Sequence, residues 1–178
     1  TTTLGGTQVT FDRVPAPLLL VSPGQVNAIV PYSVAGKEST RVQVSYQNRT
    51  TNTITLPVTA TSPGIFAITN QDGSVNSATN PAAAGSVLIL YGTGEGQTVP
   101  AGIDGNVANS EFPKPVQEVT VQIGARPATV LYAGAAPGFV SGVLQLNVSI
   151  PAGLTGTVPI SVKIGDTATP AGRNIVVR

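Results

Sequence analysis

Apolar and polar residues alternate in short runs along most of this chain. In residues 40–46, Val42, Val44 and Tyr46 fall on one face and Arg41, Gln43 and Ser45 on the other. Ile54, Leu56 and Val58 alternate in the same way, as do Val119, Val121 and Ile123. Leu144, Leu146, Val148 and Ile150 are interleaved with Gln145, Asn147 and Ser149, and Ile160, Val162 and Ile164 repeat the pattern. A period of two is the mark of a strand with one face buried. Val87-Leu88-Ile89-Leu90 is apolar on both faces and predicts a central strand. No window carries a helical period, so the expected class is all-β. Before residue 61 the pattern predicts five strands, at 8–12, 16–21, 25–30, 40–46 and 53–58. After it come roughly eight segments, with strands expected near Ile65, Val75 and Val87 ahead of the later ones.

The alternating segments recur. Gln8-Val9-Thr10-Phe11 and Pro15-Ala16-Pro17-Leu18-Leu19 return as Thr120-Val121-Gln122-Ile123 and Pro127-Ala128-Thr129-Val130-Leu131. Ser22-Pro23-Gly24 returns as Ala136-Pro137-Gly138. Gln25-Val26-Asn27-Ala28-Ile29-Val30-Pro31 returns as Gln145-Leu146-Asn147-Val148-Ser149-Ile150-Pro151. Such a duplication means two copies of one supersecondary unit. The stretch 65–118 precedes the second copy and has no counterpart before the first. Short strands separated by turn signals every ~8–12 residues indicate sandwiches or barrels, and an immunoglobulin-like sandwich needs about seven strands. The reading is two tandem immunoglobulin-like β-sandwiches divided at Thr61-Ser62-Pro63-Gly64. Residues 1–61 form an incomplete unit that lacks its opening strands. Residues 62–178 form a complete one with a long loop at 92–118, and connections of that length are usually functional or disordered.

Composition narrows the chemistry. Gly (20) and Pro (15) are plentiful while only 10% of residues are charged, which suits many strands joined by turns. The net charge of +1 provides no footprint for nucleic acid, and the apolar runs are too short to span a bilayer. Cys, His, Met and Trp are absent, which excludes disulfides, thiolate nucleophiles, imidazole bases and the usual zinc ligands. Without His, little response to pH is expected between 5 and 8.

Individual motifs give bland readings. Gly92-Thr93-Gly94-Glu95-Gly96 has the look of a phosphate loop, but Gln97-Thr98-Val99-Pro100 does not open a helix and no Lys-Ser/Thr pair follows. It predicts a strand-end turn. Asp72-Gly73 predicts a hairpin turn, and an EF-hand spacing fails because Ile68 stands where an oxygen ligand is needed. A looser calcium site remains open if the loops of Asp72, Glu95 and Asp104 meet at one end of the sandwich. Carboxylates scattered through turns mostly solvate them, so an enzyme is the least favoured class. Lys163 alternates with buried positions and points outward, against a Lys–Asn isopeptide crosslink. No cofactor is expected.

Three sets of residues also carry a family resemblance. They are Gln25 to Pro31, Tyr91-Gly92-Thr93-Gly94-Glu95-Gly96, and Ala133-Gly134-Ala135-Ala136-Pro137-Gly138 with Val143-Leu144-Gln145-Leu146-Asn147-Val148. Together these resemble the uncharacterised C-terminal domain family of Solibacter-like acidobacterial surface proteins. Gly85 to Gly94 is also similar to the second strand of IPT/TIG immunoglobulin-like domains. The resemblance implies a secreted or cell-surface protein and brings no catalytic residues. It also implies that, in longer relatives, upstream material supplies a strand like Val87-Leu88-Ile89-Leu90-Tyr91.

The functional expectation is a non-catalytic extracellular structural module. A sandwich without its opening strands exposes an edge that another chain can fill, as in donor-strand complementation. Candidate donors are the arm Thr1, Thr2, Thr3 and Leu4, the segment around Ile175, Val176 and Val177, or a strand from upstream sequence; the other reading is that the first five strands make a self-sufficient small sandwich. Head-to-tail donation builds filaments from other molecules of the same chain. The rest of a larger surface protein is the other expected partner. The alternative is an accessory domain that binds a glycan or surface through the 92–118 loop.

Overall fold

The computed structural model describes every residue, Thr1–Arg178, and the chain is all-β. Its strands in order are β1 (Thr7–Phe11), β2 (Val14–Pro15), β3 (Leu18–Ser22), β4 (Gln25–Ala28), β5 (Ser39–Tyr46), β6 (Arg49–Thr50) and β7 (Ile54–Pro57). These are followed by β8 (Gly64–Asn70), β9 (Val87–Thr93), β10 (Thr98–Val99), β11 (Lys114–Pro115), β12 (Val119–Ile123) and β13 (Arg126–Ala135). The last four are β14 (Leu144–Ser149), β15 (Gly156–Ile164), β16 (Thr167–Ala168) and β17 (Asn174–Val177). A 3₁₀ turn, Tyr32–Val34, follows β4.

The duplication is visible in the strand ladders. β1 pairs with β5 as β12 pairs with β15, with Val9 opposite Val44 and Val121 opposite Val162. β7 lies against β5 as β17 lies against β15. β3 pairs with β4 as β13 pairs with β14, and both pairs carry a register shift at the same place, between Leu18 and Leu20 and between Val130 and Tyr132. Even a side-chain bond is repeated: Gln25 Nε2 donates to Asn27 Oδ1 at 2.7 Å, and Gln145 Nε2 donates to Asn147 Oδ1 at 3.0 Å. One difference follows directly from sequence. β13 runs unbroken and bends from β12 to β14, whereas Pro17 stands at the position of Thr129 and splits the equivalent strand into β2 and β3. Proline has no N–H to give to a ladder.

The two copies then part company. β12 to β17 join β8 and β9 in one eight-stranded sheet, in the order β16-β15-β12-β13-β14-β9-β8 with β17 beside β15. β1, β2, β5, β6 and β7 form a five-stranded sheet, and β3 and β4 a separate two-stranded one. The larger sheet curls around a cluster of 16 buried residues, among them Ile65, Ala82, Leu88 and Leu90 from the stretch that has no counterpart in the first copy. The corresponding cluster in the first copy has only 4, Val9, Phe11, Ala16 and Leu18. Polar stapling helps this smaller core: Asp12 accepts from Lys37 Nζ at 2.9 Å, Thr40 Oγ1 at 3.0 Å and the Arg41 amide at 3.0 Å.

One local expectation differs from the structure. The strand expected near Val75 is reduced to a single bridge, Thr69 to Val75. Asparagine side chains take over there, with Asn76 accepting from the Val176 amide at 2.8 Å and donating to the Val176 carbonyl at 2.9 Å. The 92–118 connection contains a small ladder, β10 with β11.

Candidate functional site

The feature that sets the first copy apart is the free edge of β4. In the second copy, β14 is sandwiched between β13 and β9, and Gln145, Leu146, Asn147 and Val148 face Tyr91, Leu90, Ile89 and Leu88. β4 pairs with β3 alone. The sheet across from it is open as well. On β17, the Ala82 amide donates to the Val176 carbonyl at 2.9 Å and the Arg178 amide to the Ala82 carbonyl at 2.8 Å. β7 pairs with β5 only.

Side-chain exposure follows the missing cover. Val26 is 36% exposed where its counterpart Leu146 is at 0%, and Val30 is 50% exposed where Ile150 is at 1%. Leu56 pairs with Thr40 as Ile175 pairs with Val158, and it is 44% exposed where Ile175 is at 0%. Ile54, two residues before Leu56 on the same face of β7, adds to this apolar surface. Residues 25–28 and 54–57 carry no charge and β4 holds no proline, so the usual devices that blunt an edge are lacking along β4.

A second feature lies where the copies meet. Asp104 Oδ1 accepts from the Tyr32 amide at 2.9 Å, and Gln97 Nε2 donates to the Tyr32 carbonyl at 3.3 Å. The Tyr32 ring lies so close over Gly102 that a Cβ there would overlap it. Glu95, just beyond β9, is only 3% exposed and its Oε2 atom has no hydrogen-bond partner. Burial pushes its carboxyl up to about 7, opposed by a hydrogen bond from the Tyr32 phenol. The phenol rises to about 12 through burial and then through the negative charge of Glu95 and Asp104. The expectation of an inert interval between pH 5 and 8 is corrected here, because desolvation brings an ordinary carboxyl into that interval.

The calcium candidates do not converge. Asp72 accepts from the Ser74 amide and hydroxyl within its own turn, and these bonds hold its carboxyl below the usual range. Asp104 binds the Tyr32 backbone, Glu95 is buried, and no group of three acidic side chains gathers to hold a metal. The glycines of Gly92-Thr93-Gly94-Glu95-Gly96 are accounted for by the chain itself. The connection from β7 to β8 crosses them so closely that a Cβ on Gly94 would meet the Ser62 carbonyl and one on Gly96 the Ala60 carbonyl. A cleft of about 350 Å³ among Gly64, Ile65 and residues 169–173 holds Arg173 and no carboxylate.

The donor candidates are placed as follows. Ile175 and Val177 are buried in the larger core and Val176 is tied to Ala82 and Asn76, so releasing this segment would dismantle the second copy. This corrects its reading as an available donor. Thr1, Thr2, Thr3 and Leu4 are exposed, but the Thr1 carbonyl accepts from the Leu18 amide at 2.9 Å and Leu4 bridges to Thr7. The exposed edge residues Val26, Val30 and Leu56 were not singled out by sequence reasoning. Val26 looks equivalent to Leu146 in sequence, and only the unmatched stretch 65–118 sets the two copies apart.

No family model and no curated protein matches this chain. Among solved structures it is similar to the S-layer protein SbsC domains 4 and 5, at 17% identity over 97% of this chain and 70% of that one. The TM-score is 0.25, too low to bear on function.

Proposed function

We propose that the chain is a non-catalytic extracellular structural module built from two immunoglobulin-like sandwiches, of which the first is completed by a β-strand from outside residues 1–178. The observation that carries this reading is the contrast between β4, with one neighbour, and β14, with two. Unpaired N–H and C=O groups flanked by Val26, Val30 and Leu56 are a template for strand addition. Where the donor belongs to another molecule of the same chain, donation is head-to-tail and need not close, so filaments or surface arrays result. The glycan-reading alternative has less support. In the 92–118 loop, Glu95, Gln97 and Asp104 are engaged with Tyr32 rather than presented to a ligand.

The mass of the purified particle across concentration tests the self-assembling form. A ladder of oligomers that grows with concentration is expected, collapsing to monomer in Val26→Lys, which places a charge on the edge. A strictly monomeric wild type whose β4 amides are already protected from exchange would contradict the reading.

A further inference from the structure

The chain contains a worked example of what fits its own open edge. Residues 81–93 close the second copy by touching β17 and β14, far apart in its curled sheet. Ala82 runs parallel to β17 at Val177, and after a short turn at Gly85-Ser86, β9 runs antiparallel to β14. The corresponding first-copy surfaces, β7 and β4, both lack a partner on that side. Because Leu56 matches Ile175, Val58 matches Val177. The ladder shift shared by β3–β4 and β13–β14 fixes the matching of β4 to β14 residue by residue.

We infer that the partner of the first copy is a single extended, uncharged segment that bridges its two sheets. It lies parallel to β7 at Val58, turns on small residues, and continues antiparallel along β4 in the register of β9. This inference rests on the strand-accepting reading above and adds the partner's chemistry, direction and register. Position by position, Gln25, Val26, Asn27 and Ala28 face the partner's equivalents of Tyr91, Leu90, Ile89 and Leu88. The inward positions of the partner, equivalent to Leu88 and Leu90, must be large and apolar, because they cover Val26, Ala28 and the core beneath. Its other face tolerates apolar residues as well, as Val87 and Ile89 are half-buried in the second copy. Charge is excluded along the strand. Residues 81–93 carry none, and neither do 25–28 and 54–57, so a charged partner would lose its hydration against a neutral acceptor without gaining an ion pair.

The absence of cysteine makes the register directly readable. Residues opposite each other in an antiparallel ladder lie ~4.5–5.5 Å apart at Cα, within disulfide reach. The probe is a synthetic peptide of sequence 81–93 with a solubilising lysine tag, added to the full chain carrying Asn27→Cys or Val58→Cys. Asn27 is exposed and Val58 half-buried, and melting of each variant establishes that it is folded. Under a mild oxidant, Asn27→Cys is expected to link to a peptide with Ile89→Cys at least tenfold faster than to peptides with Leu88→Cys or Leu90→Cys. Val58→Cys is expected to link to a peptide with Ala82→Cys. Retention of the labelled, cysteine-free peptide by the unmodified chain, and not of a scrambled peptide, is expected alongside. Linkage at a shifted position, or along β4 without contact at Val58, overturns the bridging register while leaving strand acceptance intact. Failure of the unmodified chain to retain the peptide more than the scrambled one overturns both.

Discussion

Glu95 shows how far a residue can depart from its sequence-level behaviour. Its carboxyl rises from 4.5 to about 7 because burial disfavours the charged form, and the Tyr32 hydrogen bond offsets only part of that. A folded-state value above the unfolded one means that the native state holds the proton longer. The stability this proton linkage contributes is fully present below pH 4.5 and is lost as pH rises through 7, a loss on the order of 3 kcal/mol. Denaturant melts at pH 5 and pH 8.5 are therefore expected to show the wild type clearly weaker at the higher pH, with Glu95→Gln nearly flat between them. Equal slopes for both proteins would mean that Glu95 is not the titrating group. None of this was legible in sequence, where Glu95 stood in a glycine-rich turn. Its hydrogen-bond partner, Tyr32, lies more than sixty positions away and packs over Gly102.

At the scale of elements, alternation carried most of the information. Leu144 to Ile150 and Ile160 to Ile164 fall where the period of two places them, and their inward residues form the larger core. The segment around Val75 departs from the expected strand because Asn80 Nδ2 donates to the Val75 carbonyl and the Asn76 side chain binds the Val176 backbone, contacts that leave no periodic trace. The free edge of β4 could be inferred from the unmatched stretch 65–118, but the acceptor residues could not, since Val26 and Leu146 look equivalent until cover is counted. Substitution separates them. Leu146→Ala is expected to cost about 2–5 kcal/mol, as for any large side chain removed from a closed core, and Val26→Ala less than about 1 kcal/mol. Urea melts of the two variants check this; a Val26→Ala penalty as large as that of Leu146→Ala would mean that β4 is already covered.

For the whole molecule, the consequence is an uneven pair. One copy has a core of 16 buried residues, with β14 and β17 covered by residues 64–93, while the other has 4 and two uncovered strands. Low cover and few buried contacts place the first copy at the low-stability end of the structure. Hydrogen exchange resolved along the chain measures this most directly. The amides of β14 should be among the most protected in the molecule, and those of the equivalent β4 should exchange at least a hundredfold faster in the isolated monomer, slowing when a complementary strand is added. Equal protection of β4 and β14 in the monomer would contradict the account.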